Sequence, residues 1–279
     1  TVEGYAMFIP FLRKFPAKTL MTTHGTYSVL PLSSILTRWL YKRVYRYADR
    51  IVSVSGYTKR HMMKEAGNLV DEEKIYVVNN GVDFEQKPSV PKKDDGLFRI
   101  VTVGELKNRK GGHHLLAAAK ILRDKYGLKP RVTFVGNVDK EHRYYKQLQS
   151  YIEEHNLQDV VHFAGMVPQE ELDAYYSEAD LFALLSVHEG SHYEGYPLVF
   201  HEAAMWGVPT VGTYDCGAED AIKDGFSGVL VHPENHEEVA EKMSQIQSGE
   251  ISISPENCKA WAEENDWGKK DLMGMYEGF

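Results

Sequence analysis

Two carboxylates eight positions apart, Glu194 and Glu202, bracket the stretch of this chain with the most chemical content. Between them runs Gly195-Tyr196-Pro197-Leu198-Val199-Phe200-His201, and a helical pattern continues through Ala203, Ala204, Met205 and Trp206 before Gly207 stops it. Pro209 follows, and Thr210 to Thr213 read as a short buried strand. A glycine-containing loop that opens a helix turns unpaired backbone N–H groups toward an anion. Carboxylates beside such a site accept hydrogen bonds from hydroxyl groups. An anion next to a polyol is the chemistry of a nucleotide sugar. Taken alone, the same glutamates also fit ordinary helix-start acids stabilised by the helix dipole.

The elements that must position this stretch follow a strand–helix alternation. In the first part, strands are expected at 18–23, 50–54 and 74–78, with an amphipathic helix over 33–47 and Ser55 as the cap of a second helix. Residues 1–16 are apolar and aromatic and are expected to be partly helical. Residues 84–97 are polar, carry two prolines and read as a linker. A second series then begins: strands 98–103, 131–135, 160–163, 181–185, 210–213 and 228–231 alternate with helices over 112–126, 140–155, 169–177, 218–223 and 235–247. A final helical region is expected over 255–277. Such a pattern predicts an α/β fold with parallel, doubly wound sheets. The expected division is 1–90, an incomplete first domain; 91–260, a second domain; and 261–279, a C-terminal helix packing back on the first.

Composition narrows the class. The chain has 279 residues, 43% of them hydrophobic, enough for two ordinary cores. No apolar run is long enough to span a bilayer and the first residues show no cleavable signal pattern, so a cytoplasmic protein is expected. Cys216 and Cys258 lie far apart without metal-ligand spacing, as expected of thiols in a reducing compartment, and no histidine pair fits a zinc motif. Net charge is −8, yet residues 1–64 hold eleven Lys or Arg against two acids, a local +9. That part is expected to face an anionic partner. On the 33–47 helix, Trp39 and Tyr41 stand with Arg38, Lys42, Arg43 and Arg46, which suits an anionic membrane surface on the inner face of the membrane, or equally a packed helix with a charged outer side. No nucleic-acid motif accompanies the charge.

Several blocks in order carry a resemblance: a strand ending in His24-Gly25, IVSVS, NNGVD, VGELKNRKGG, FAGMV, ADLFALLS, and EGYPLVFHEA followed by GVPTV. Over nearly its whole length the chain resembles the retaining glycosyltransferases of family 4, which have two Rossmann-like domains of the GT-B type. The resemblance implies transfer of a hexose from a nucleotide-diphosphate sugar, UDP before GDP, to a glycan or lipid-linked acceptor in polysaccharide or glycolipid biosynthesis. It implies Glu202 at the donor ribose, Glu194 against the transferred sugar, and the backbone of Gly195, Tyr196, Pro197, Leu198 and Val199 at the sugar or diphosphate. It places Lys110 on the donor phosphates, His24 in the cleft beside the sugar and acceptor, and the Gly165-Met166-Val167 turn near the base. Glu105 stands where the family has an arginine, so either Arg109 or Lys107 is expected to supply that charge from the loop, or Glu105 to turn away. No Asp-x-Asp motif is present and no metal or cofactor is expected; the family's transfer is thought to be a front-face displacement. The family's first domain is longer, so a second chain completing it is one expectation, and a non-catalytic nucleotide-sugar-binding subunit is the alternative function.

Overall fold

The computed structural model describes residues 18–270. In the first domain, β1 (Leu20–Thr23), β2 (Arg50–Ser53) and β3 (Ile75–Val77) form a parallel sheet in sequence order, with α1 (Ile35–Tyr47) and α2 (Gly56–Ala66) as crossovers. Ser55 caps α2 as its sequence position suggests: its hydroxyl accepts the Thr58 amide at 2.9 Å. On α1, Tyr41, Val44 and Tyr45 face inward, while Ile35, Arg38, Trp39, Arg43 and Arg46 form one solvent-facing stripe at helical spacing.

The second domain holds β4 (Phe98–Val103), α3 (Gly112–Asp124), β5 (Pro130–Val135), α4 (Arg143–Glu154), β6 (Val161–Gly165), α5 (Gln169–Glu178), β7 (Leu181–Ala183), α6 (Val199–Met205), β8 (Thr210–Thr213), α7 (Ala218–Ala221), β9 (Gly228–Val231), α8 (His236–Ser248) and α9 (Pro255–Glu264). The sheet is parallel, in the order β6-β5-β4-β7-β8-β9. The chain winds outward from β4 in one direction, then returns to β7 and winds the other way. That reversal leaves a crevice at the carboxyl ends of β4 and β7. One face of the sheet packs Leu115, Leu116, Leu148 and Met243 against Phe98, Ile100 and Val132; the other packs Tyr176, Phe200 and Ala218 against Val101 and Phe182.

The expected helix over 255–277 stops at Glu264. Asn265 closes it by donating its amide to the carbonyls of Trp261 and Ala262, and a single turn of 3-10 helix follows at Trp267–Lys269. This segment packs on the interdomain connection: Val82 and Asn265 are hydrogen-bonded at 3.0 Å, and the Trp267 ring lies over Gly81. The expected helical stretch at 1–16 and the end of the C-terminal one, 271–279, lie outside the described residues.

The two domains are joined more tightly than a linker alone provides. The loop after β7 sends Tyr193 into the first domain, where it is buried with Tyr45, Tyr57 and Met62. Its hydroxyl lies 2.7 Å from Ser28 Oγ, and its backbone amide donates to Thr26 Oγ1 at 3.0 Å. From the other side, Asp220 accepts the amides of Gly56 and Tyr57 at 3.0 and 3.1 Å, so a carboxylate of the second domain satisfies the first turn of α2. Arg60 pairs with Glu219 beside it.

Candidate functional site

Backbone contact sets the site's frame. His24 and Gly25 follow directly from the end of β1, and Gly195 comes from the loop after β7. A Cβ built on Gly195 would lie 2.6 Å from Gly25 Cα, so only glycines allow this approach of the two domains. Around the contact lies a cleft of about 240 Å³, lined by His24, Tyr27, Asn80, Arg109, Tyr193 and Glu194 among others.

A second backbone contact brings in the cations. Gly111, with φ +69°, sits so close to the end of β7 that a Cβ would meet the Leu185 carbonyl oxygen at 1.7 Å. The Val187 amide donates to the Arg109 carbonyl at 2.8 Å. The loop after β4 is therefore docked on the loop after β7, which carries Glu194. Lys110 Nζ lies 2.8 Å from Glu194 Oε1, and Arg109 pairs with the same oxygen. All three side chains are largely buried. Burial pushes the Glu194 pKa up, but the two neighbouring cations outweigh it and hold the carboxyl below its usual value. Glu105, at the anomalous position, is half-exposed and paired with Lys107 at 2.7 Å.

Glu202 lies in the first turn of α6 in different surroundings. Tyr176, fully buried on α5, donates its hydroxyl to Glu202 Oε2 at 2.8 Å. No basic side chain pairs with Glu202 among the described residues. Burial, assisted by the charge of Asp173, raises its pKa against the Tyr176 hydrogen bond, which lowers it. Tyr176 carried no sequence signal for this role, because it lies on a different helix and reads as an ordinary core aromatic.

The remaining expected residues divide. The His24 ring is accessible at the cleft and has no hydrogen-bond partner among the described residues, while its backbone carbonyl accepts the Tyr27 amide; partial burial lowers its pKa, so the ring is neutral at pH 7. Tyr196 contributes only backbone: its hydroxyl lies 2.7 Å from His201 Nε2 and donates to Asn265 at 3.3 Å, deep in the fold. Pro197 is buried, while Leu198, without a side-chain cap, leads into α6 at Val199. Met166 is not among the residues lining this cleft; it lies just past β6 and is 76% exposed. Near it, the chain ends of β4, β5 and β6 meet through glycines: the Gly136 amide donates to the Gly165 carbonyl at 2.8 Å, and a Cβ on Gly136 would strike the Gly104 carbonyl. Among the described residues no cluster of three or more His, Cys, Asp or Glu is arranged to hold a metal, and no helix is long and apolar enough to cross a membrane.

Residues 83–265 match the family model described as "Glycosyl transferases group 1", and residues 3–86 match "Glycosyltransferase Family 4". The chain belongs to the group 1 glycosyl transferases. It is 31% identical over 188 residues to the amylovoran biosynthesis glycosyltransferase AmsK of Erwinia amylovora, covering 66% of this chain and 44% of AmsK. It is 29% identical over 231 residues to the D-inositol 3-phosphate glycosyltransferase of Corynebacterium urealyticum, covering 76% and 53%. In fold it is similar to Anabaena Alr3699/HepE, solved in complex with UDP-glucose, with a TM-score of 0.75, 20% identity, and coverage of 99% of this chain and 74% of that one. That likeness establishes the α/β architecture of two Rossmann-like domains in the GT-B arrangement. The chain spans about half the length of the curated relatives it matches.

Proposed function

We propose that this chain transfers a hexose from a nucleotide-diphosphate sugar, UDP-linked in preference to GDP-linked, to a glycan or lipid-linked acceptor with retention of anomeric configuration. The observation that carries the reading is the gathering of Glu194, Arg109 and Lys110 in one buried cluster at a cleft that His24 enters from the other domain. Amylovoran biosynthesis in the name of AmsK and UDP-glucose in the description of HepE support the substrate class.

In this reading the two cations wait on Glu194. When a donor enters, Lys110 and Arg109 turn to its diphosphate and stabilise the charge that develops as the glycosidic bond breaks. Glu194, released, accepts hydroxyls of the transferred sugar. Glu202 accepts the ribose hydroxyls, with Tyr176 fixing one of its oxygens. The backbone of Gly195–Val199 lines the sugar and diphosphate, and the Met166 turn borders the base. His24, neutral, faces the anomeric carbon and the incoming hydroxyl. The transfer is proposed to need no metal.

Calorimetry with UDP-glucose and GDP-mannose, followed by NMR of the anomeric proton of the product, tests this. Binding of the UDP sugar, transfer unaffected by EDTA, and an α-linked product from an α-linked donor are expected. Absence of nucleotide-sugar binding, or inversion at the anomeric carbon, overturns the reading.

We also propose that the outer stripe of α1 rests on an anionic membrane surface. Ile35 is 92% and Trp39 51% exposed, and Arg43 stacks on Trp39 at 3.7 Å, so an apolar strip is flanked by cations with no acid on the helix. Flotation with phosphatidylserine liposomes at low salt is expected to carry the protein, and Trp39→Ala with Arg43→Ala to release it. Equal recovery with neutral liposomes removes the electrostatic part of the proposal.

A further inference from the structure

Behind the loop that carries Glu194 lies a larger cavity, of about 520 Å³, between α2 of the first domain and the chain ends of β7, β8 and β9 of the second. Its linings differ from those of the cleft. Tyr57 and His61 stack at 5.7 Å on the first-domain side, and His188 meets both edge-on. Tyr214 and His232 pair at 4.9 Å on the second-domain side, both solvent-exposed. The cavity thus has an aromatic wall on each domain, and its charged groups are mixed: Lys64 against Asp215 and Glu234.

Polar groups complete the lining. Ser186 is 97% buried by its 3% exposure, lines this cavity, and its Oγ has no hydrogen-bond partner. A buried hydroxyl without a partner is uncommon in a folded protein, and a ligand is one of the things that satisfies it. His188 is held in place by the Tyr57 hydroxyl at 2.7 Å and the Asp215 carbonyl at 2.6 Å. Asp215 adopts the left-handed conformation, φ 60°, that aims this carbonyl.

We propose that this cavity is a saccharide-binding site, separate from the transfer cleft, that holds an uncharged stretch of glycan. Aromatic rings offer apolar faces to the C–H surfaces of a sugar, and hydroxyl, imidazole and carboxylate groups exchange hydrogen bonds with its hydroxyls. A charged ligand would meet groups of both signs and gain little. The volume is within the range of small-molecule sites and exceeds that of the cleft. The loop 188–195 separates the two sites: His188 lines one, and Tyr193 to Gly195 line the other. The assignment does not rest on the transferase reading, because it needs only a saccharide and no nucleotide.

Saturation-transfer NMR with a panel of neutral disaccharides (maltose, cellobiose, lactose and mannobiose) tests it on the intact chain. Saturation is expected to reach at least one of them, and excess UDP is expected to leave that signal in place. Tyr214→Ala, at an exposed position that the fold tolerates, is expected to weaken binding about tenfold, and His232→Ala to weaken it as well. Glu202→Ala is expected to leave it unchanged. A panel in which no saccharide receives saturation, displacement by UDP, or full binding by Tyr214→Ala overturns the proposal. If UDP does not bind while a disaccharide does, the transferase reading fails and this site stands.

Discussion

Glu194 and Glu202 are carried by one continuous loop and helix, yet their surroundings push them in opposite directions. Glu194 shares an oxygen with two cations and is held ionised. Glu202 is partly buried beside a phenol and within a second carboxylate's field, with its affinity for protons raised. A carboxylate's role follows from what it is paired with. Glu194 is an internal counter-ion to Arg109 and Lys110; in the proposed function an incoming diphosphate displaces it. Glu202 retains acceptor capacity that no cation among the described residues uses.

The sharpest way to break the comparison is Glu194→Gln. It keeps the shape and removes the charge that competes with a diphosphate for Arg109 and Lys110. Transfer is expected to slow by about 10²–10³-fold, the scale of losing one positioned polar group at a reacting centre. The affinity for UDP-glucose is expected to stay the same or to rise. A large loss of affinity with turnover preserved would show that Glu194 serves binding alone.

Glu202→Ala is expected to do the reverse. In the proposed ribose role two hydrogen bonds to a charged acceptor are lost, each worth about 1.5–3 kcal/mol, so the Kd for UDP-glucose is expected to rise about a hundredfold or more, every 1.4 kcal/mol being about one decade. Turnover at saturating donor should fall less. Unchanged affinity in calorimetry would remove the ribose role and with it the contrast between the two glutamates.

Why part of this was legible in the sequence can be said residue by residue. Strands 98–103, 210–213 and 228–231 fall where the apolar runs between turn residues place them, because a buried parallel strand needs both faces apolar. The loop–helix–strand around Glu202 was equally visible, since Gly207 and Pro209 punctuate it. What stayed hidden was set by contacts between distant segments. Tyr176 is 26 positions from Glu202, and the insertion of Tyr193 into the other domain's core leaves no local pattern. The role of Glu105 was also not readable: its charge is taken up by Lys107, while Arg109 reaches Glu194 from the other side of the same loop. The composition past Asn265 remains helical, yet the helix ends at Glu264 because the backbone turns there to pair with Val82.

Tyr176→Phe is the smallest change, and it shifts a pH effect. The Tyr176 hydrogen bond lowers the Glu202 pKa against burial, which raises it, and the balance lies above the ordinary carboxylate value. In the proposed role the ionised form accepts both ribose hydroxyls, and the protonated form loses part of that capacity. Donor affinity should therefore fall as pH drops through the raised pKa of Glu202. In Tyr176→Phe the lowering bond is gone, so the fall should begin at a higher pH. At neutral pH the loss of one hydrogen bond, about 1 kcal/mol, predicts a severalfold weaker Kd. UDP-glucose suits the titration because its diphosphate carries no group that ionises near neutrality. Coincident pH profiles for the two proteins would mean that Tyr176 only packs, and that the environment of Glu202 is set by burial alone. Glu194 supplies the internal control: its depressed pKa predicts no change in its charge over the same range, so the pH dependence that Glu194→Gln retains and Tyr176→Phe shifts belongs to Glu202.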